Sequence, residues 1–337
     1  MRSRSITLRW CALLNLVTSC HSVSSRPHVQ TLVKPGQELS LRAALPTDAF
    51  HGIHELVVFG DSVSDTGRLH DLSFGLYMPP EIYWQGRVTN GPNWTDYVCG
   101  ALPCRQQNFA VAGAPSRLDS IPMRWFLRPL DTQVDEYLSA APRTDPSVAV
   151  IWIGANDYLS DHEMRPDKVR DHIQASARVL LQGPVQRLVI STMAQLGSLL
   201  KSPASAHPIP VDHYREVTRA HNQNMRALIQ DLQQEFPSKS IALFDAYEIN
   251  QATLDRPDDY GFTSTTEACY QGDYRGNFYG KADFCADYFG VKFWDYTHPN
   301  SRMHCYYAAR FLLSLHEAGW LQTVDADKAY AACRQLP

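Results

Sequence analysis

Leu56-Val57-Val58-Phe59-Gly60-Asp61-Ser62-Val63-Ser64-Asp65 is the stretch on which the reading of this chain turns. Four consecutive apolar residues read as a buried strand, and Gly60 ends it abruptly, leaving a serine on the turn beyond. A serine hydroxyl is a weak nucleophile at neutral pH until a base takes its proton and donors hold the oxyanion that follows. A candidate base lies far downstream, in Asp295-Tyr296-Thr297-His298, where a carboxylate three residues before a histidine can orient its ring. If the fold brings Ser62 to His298, the chain is equipped for acyl transfer.

Outward from Ser62, short apolar runs alternate with amphipathic segments. Strands are expected at Leu56 to Phe59, Gln107 to Val111, Val148 to Ile153, Arg187 to Thr192 and Ser240 to Phe244. Helices are expected at Asp131 to Leu138, Asp167 to Leu181 and Asp212 to Phe236. The last carries Val217, Ala220, Met225, Leu228, Ile229 and Leu232 at mainly three- and four-residue spacings, which makes one apolar face. Strand–helix alternation predicts an α/β fold with a parallel sheet covered on both faces and ligands at the carboxyl ends of its strands. Residues 254–294 break the alternation; they are rich in aromatics, glycine and aspartate and show no period. A loop of that length in a compact domain is functional or tied down.

The first 25 residues stand apart. Arg2, Arg4 and Arg9 precede a short apolar run from Trp10 to Val17 and then small residues, the pattern of a secretory signal too short to span a bilayer. Val17-Thr18-Ser19-Cys20 also resembles a relaxed lipoprotein processing site with Cys20 as the lipidated residue. Residues 26–50 read as an extended N-terminal arm leading into the domain at 51–337. The net charge of −4 becomes −7 without the three leading arginines. An acidic chain without a basic cluster argues against nucleic acid as a partner and against simple electrostatic docking on anionic membranes. Cys99, Cys104, Cys269, Cys285, Cys305 and Cys333 remain after the leader, an even number that points to disulfides in an exported chain. The expected pairs are Cys99–Cys104, Cys269–Cys285 and Cys305–Cys333, although sequence alone leaves other connectivities open. None of the spacings suits a zinc site, and no metal or cofactor is expected.

Four segments carry chemistry together: Gly60-Asp61-Ser62, Asn108 to Ala114, Ile151 to Asp157, and Asp295 to His298 followed by Pro299. Alone, each has an ordinary reading as a turn, a cap or a packing glycine. In this order, and three of them at the ends of expected strands, they resemble the GDSL lipase/esterase family, also called SGNH hydrolases. The four signature residues fall on Ser62, Gly113, Asn156 and His298, and the resemblance runs from about Glu55 to Leu315. It implies a three-layer α/β/α fold and a set of roles. Ser62 would attack an ester carbonyl, His298 would carry the proton and Asp295 would orient the imidazole. The oxyanion would be held by the backbone N–H groups of Ser62 and Gly113 and by the Asn156 amide. Asp61 and Asp157 would brace the loops. Val63 stands where the family name has leucine. Arg68 stands where relatives often carry asparagine, a change expected at the rim of the cleft.

Tyr83 to Trp94 and Phe293-Trp294-Asp295 are similar to the branch of bacterial secreted phospholipases and glycerophospholipid–cholesterol acyltransferases. That likeness implies an extracytoplasmic esterase acting on phospholipid or lysophospholipid, with water or cholesterol as acyl acceptor. It also makes peripheral contact with a membrane and an activating protease that nicks the cysteine-bounded loop reasonable expectations. Tyr260, Phe262, Tyr270, Tyr274, Phe278, Tyr279, Phe284, Tyr288 and Phe289 would line an acyl channel or pack the insert against the domain. A short-chain or carbohydrate acetyl esterase on the same fold is the alternative. A non-catalytic surface binding protein is the reading that a full set of reactive residues argues against.

Overall fold

Glu55–Gly60 forms β1, six residues all buried, as a strand covered on both faces requires. In the computed structural model, residues 29–46, 53–118, 126–140, 148–160, 165–199, 211–277 and 284–337 are described. The leader at 1–25, with Cys20, lies outside them. β1 pairs with β2 (Arg105–Asn108) on one side and β3 (Val148–Trp152) on the other. β4 (Arg187–Ser191) and β5 (Ser240–Phe244) complete a sheet of order β2-β1-β3-β4-β5 in which every pairing is parallel. The chain starts at β1, steps outward to β2 and then crosses to β3. The crevice at this reversal, outside the carboxyl ends of β1 and β3, is where such sheets bind ligands.

The alternation of side chains along each strand sorts the helices into two layers. Leu56, Val58, Val150 and Phe244 face a core made with α2 (Trp94–Ala101), α7 (Ala246–Asp255), α8 (Ser301–Glu317) and α9 (Ala326–Arg334). Val57, Phe59, Ile151 and Ile190 face α3 (Leu130–Ser139), α5 (Pro166–Gln182) and α6 (Val211–Glu235). Each fully buried side chain of this kind contributes roughly 1.5–3 kcal/mol, so both layers are needed to offset the chain entropy lost. Two single-turn helices, α1 (Arg68–Leu72) and α4 (Ala155–Leu159), follow β1 and β3 at the crevice. The architecture is the three-layer α/β/α fold.

Three expectations change. The strand expected at Gln107 to Val111 stops at Asn108, because the Asn108 side chain accepts the Ala110 N–H and donates to the Ser64 carbonyl, turning the chain toward the crevice. The described part of the N-terminal arm is not extended: residues 29–46 carry three 3₁₀ turns, and Val29, Leu41, Ala44 and Leu45 are buried against the domain. The insert also has structure of its own. β6 (Ser264–Ala268) pairs in parallel with β7 (Val291–Phe293), and Tyr270, Phe284 and Trp294 stack on one another. All three expected disulfides are formed: Cys99–Cys104 behind α2, Cys269–Cys285 across the insert, and Cys305–Cys333 between α8 and α9.

Candidate active site

Immediately after β1 the backbone makes one helical turn, with the N–H groups of Ser64 and Asp65 on the Asp61 carbonyl. Only glycine fits at position 60, since a Cβ there would sit 2.7 Å from the Trp152 carbonyl oxygen. The Gln133 side chain on α3 clamps both polar groups of that residue, accepting the Gly60 N–H and donating to its carbonyl at 2.8 Å each. The turn that carries Ser62 is therefore fixed from both sides.

His298 reaches Ser62 from the other end of the chain. Behind β7, the carboxylate of Asp295 accepts the N–H groups of Thr297 and His298, each at 2.8 Å, which closes a tight turn. The same carboxylate lies 2.9 Å from His298 Nδ1. With Nδ1–H donating to that carboxylate, Nε2 is left as an acceptor, and Ser62 Oγ sits 2.7 Å from it. The Tyr83 hydroxyl donates to the second Asp295 oxygen at 3.1 Å. Burial, reinforced by the Asp295 charge, raises the Tyr83 hydroxyl well above its ordinary value and keeps it a donor. The Tyr274 ring meets the imidazole edge-on, 5.6 Å between centroids.

The remaining two signature residues line the same crevice. Gly113 has φ of +82°, the left-handed region that glycine enters without steric cost. Its turn is held by the Ala112 N–H on Asp65 Oδ2 at 2.7 Å and by the Ala114 N–H on the Val111 carbonyl at 3.0 Å. Among the described residues, the backbone N–H groups of Ser62 and Gly113 have no partner. Asn156 gives one amide hydrogen to the Ala114 carbonyl at 3.1 Å, which leaves its other hydrogen available. Asp157 accepts the Ser116 N–H at 2.8 Å and braces the loop beyond Gly113. Asp61 accepts the Val63 N–H, and burial pushes its carboxyl up to about 7.

Several contacts were not read from the sequence. Asp65 accepts four backbone N–H groups, from Gly67, Arg68, Leu69 and Ala112, and so ties the turn after Ser62 to the loop of Gly113. Its place inside the opening motif was the only pointer. Tyr83 lies 212 residues from its partner, and no local pattern connects them. Arg68 is not at the cleft rim as expected; it bonds to the Phe109 carbonyl and pairs with Glu136 at 2.8 Å. Of the insert aromatics expected in an acyl channel, Tyr274 lines the cavity. Tyr260, Phe262 and Phe289 pack with the α8 core instead, and Phe278 and Tyr279 lie outside the described residues. The cavity, about 940 Å³, takes its apolar wall from elsewhere: Leu69, Met78, Leu127, Leu159, Met193 and Leu199.

A serine, a histidine and an aspartate hydrogen-bonded in series, at the carboxyl edge of a parallel sheet and beside two unengaged N–H groups, define a serine-hydrolase type of site. The family model for GDSL-like lipases and acylhydrolases matches residues 56–311, and the chain belongs to that family. It is 27% identical over 244 residues to a phosphatidylcholine-sterol acyltransferase of Aeromonas hydrophila, covering 70% of each chain. It is 25% identical to a thermolabile hemolysin of Vibrio parahaemolyticus over 78% of this chain, spanning 64% of the hemolysin's own length. The secreted effector protein SseJ of Salmonella typhimurium is 24% identical over 75% of this chain and 61% of its own. Among solved structures, a carbohydrate acetylesterase from Sinorhizobium meliloti is similar over 79% of this chain and 99% of its own, at 13% identity and a TM-score of 0.46.

Proposed function

We propose that this member of the GDSL family is an extracytoplasmic serine esterase that cleaves the acyl esters of lysophospholipids and phospholipids and can pass the acyl group to a sterol. The observation that carries the reading is the 2.7 Å contact from His298 Nε2 to Ser62 Oγ with Asp295 behind the ring, opening on a cavity walled largely by apolar side chains. Similarity to the sterol acyltransferase supports the choice of lipid and acceptor. The three disulfides, which persist in oxidising compartments, support the location.

In this reading Ser62 Oγ bonds to the ester carbonyl carbon as its proton moves to His298 Nε2. The carbonyl oxygen, now negative, accepts hydrogen bonds from the Ser62 and Gly113 N–H groups and the free Asn156 amide hydrogen. Collapse of this intermediate breaks the bond to the lyso-glycerol oxygen, which takes the proton from His298. Water, or a sterol hydroxyl, then attacks the acyl-serine by the same route in reverse, and Ser62 regains its proton. Asp295 keeps the imidazole in the tautomer that the first step needs and stabilises the cation formed.

The test is fatty-acid release from lysophosphatidylcholine by the purified protein and by Ser62→Ala. The variant is expected to lose about 10⁴-fold or more in kcat, and a fluorophosphonate should label the parent alone. A folded Ser62→Ala protein with full activity would falsify the assignment. Matched acetyl and palmitoyl esters separate a lipid esterase, which cleaves the long chain, from an acetyl esterase, which ignores it. Sterol ester formed on addition of cholesterol reads the transfer reaction.

A further inference from the structure

Asp61, Asp65, Asp157 and Asp295 are all buried at the site. Three of them are well served by donors. Asp65 accepts four backbone N–H groups, and Asp157 accepts the N–H and the hydroxyl of Ser116. Asp295 accepts two backbone N–H groups, the Tyr83 hydroxyl and His298 Nδ1–H. Those donors favour the ionised form of each. Asp61 is different. Its Oδ1 accepts the Val63 N–H at 3.2 Å, while its Oδ2 has no hydrogen-bond partner and the carboxyl makes no ion pair among the described residues.

A buried carboxyl with an unserved oxygen holds its proton, because the ion would sit where few donors replace water. Burial accordingly pushes Asp61 up to about 7, against the Val63 N–H and His298, which lower it, and with the Asp157 charge adding to the rise. Near neutral pH the acid form is present, and a carboxylic acid in an apolar site is a hydrogen-bond donor where a carboxylate is not. Asp61 also has access to substrate. It directly precedes the nucleophile, lines the cavity and is 3% exposed. The charged groups that act on it come from two other elements, His298 on the turn after β7 and Asp157 on α4. In the mechanism above the oxyanion has three donors, whereas the oxygen that leaves has His298 alone.

We propose that Asp61 takes part in the reaction as a neutral acid, its Oδ2–H donating to the ester oxygen that leaves. The bond from the carbonyl carbon to that oxygen breaks, and the oxygen takes its proton from His298 Nε2. Asp61 keeps its own proton throughout and stabilises the negative charge that builds before the transfer is complete. The inference rests on the esterase chemistry proposed above and is independent of which lipid is cleaved.

The test uses the full chain with ethyl butyrate, whose alkoxide needs help to leave, and p-nitrophenyl butyrate, whose phenoxide needs little. Asp61→Ala should lower kcat/KM about 10- to 100-fold on ethyl butyrate, as loss of a hydrogen bond to a charged group does, and no more than about threefold on the nitrophenyl ester. Asp61→Asn keeps the Val63 acceptor, stays neutral and presents an N–H where Oδ2 stood, so it should bring ethyl butyrate back to within about threefold of the parent. On that ester the parent should lose about tenfold in kcat/KM per pH unit above the value of about 7, and Asp61→Asn should not. Carbon NMR of the aspartate-labelled parent should show a carboxyl titrating near about 7 that Asp61→Asn removes. Equal losses on the two esters in Asp61→Ala make the residue purely structural and overturn the proposal. An alkaline fall that persists in Asp61→Asn overturns it too, as does an Asp61 carboxyl titrating near about 4. A parent inert toward both esters removes the proposed function and the donor role together. A parent active on both, with variants that match it, removes the donor role alone.

Discussion

Replacing Asp65 by asparagine isolates a connection between the two halves of the oxyanion site. Asp65 Oδ1 accepts the N–H groups of Gly67 at 2.8 Å and Arg68 at 2.6 Å, and Oδ2 those of Leu69 at 3.1 Å and Ala112 at 2.7 Å. An asparagine oxygen can serve only one of these pairs, and the amide NH₂ then points at two further N–H donors. The Gly67 and Arg68 side has the shorter pair, so the amide nitrogen is expected to face Leu69 and Ala112. Two buried donors without acceptors cost about 1–3 kcal/mol each, within the roughly 5–15 kcal/mol that a domain of this kind has in hand. The variant should therefore fold with a lower Tm. Ala112 moves off, and Gly113 moves with it. Loss of one oxyanion donor costs about 10²–10³ in kcat, which bounds the effect from above; about 10²-fold is expected, with KM nearly unchanged. Steady-state hydrolysis of p-nitrophenyl butyrate, read with thermal melts by circular dichroism, measures both numbers. A Tm that falls while kcat drops by no more than two- or threefold would refute the link from Asp65 to Gly113.

Other outcomes follow from single contacts. Tyr83→Phe removes one hydrogen bond to Asp295 Oδ2 and should lower kcat about tenfold, without abolishing fluorophosphonate labelling of Ser62; a silent substitution would remove Tyr83 from the site. Serine at both Cys269 and Cys285 opens a loop with a separation of 16 residues. Its loss should destabilise the chain by about 3 kcal/mol in the loop-entropy account, checked by denaturant unfolding under oxidising conditions. Burial holds His221 down to about 4. Its unfolded imidazole titrates near about 6.5, so the unfolded chain takes up the proton first. The stability this residue contributes is complete above about pH 6.5 and drains away as the pH falls toward 4. Tm measured across that range should decline less steeply in His221→Gln, and an unchanged slope would remove His221 from the account.

Four of the five strands of the central sheet were legible because they are short, mainly apolar and set off by amphipathic helices; β2, Arg-Gln-Gln-Asn at Arg105–Asn108, is polar and was expected two residues late. The expected run at Ser240 to Phe244 coincides with β5, and the long helix differs by one residue at each end. The insert was harder. Ser264-Thr-Thr-Glu-Ala is polar and only partly buried, and its partner β7 has three residues, so neither carries a hydrophobic period. Its strand character comes from pairing across the insert. At the site, Ser62, Gly113, Asn156, Asp295 and His298 stand in motifs and could be named in advance. Gln133 and Tyr83 act through contacts 73 and 212 residues away in the chain, which no local pattern encodes. Of the two roles open to the insert aromatics, packing holds for most, and of the named set Tyr274 lines the cavity. Aromatic richness marks packing mass, and here most of that mass closes the insert onto the domain.

The Cys269–Cys285 bridge has a topological consequence. Ser62, Gly113 and Asn156 lie before it in the chain, and Asp295 and His298 lie after it. One peptide bond cut anywhere between the two cysteines would put nucleophile and base on different polypeptides while a single covalent link still joined them. The product would be a two-chain enzyme. In an oxidising medium it would stay one molecule, and a thiol reductant would leave its halves held by noncovalent packing alone.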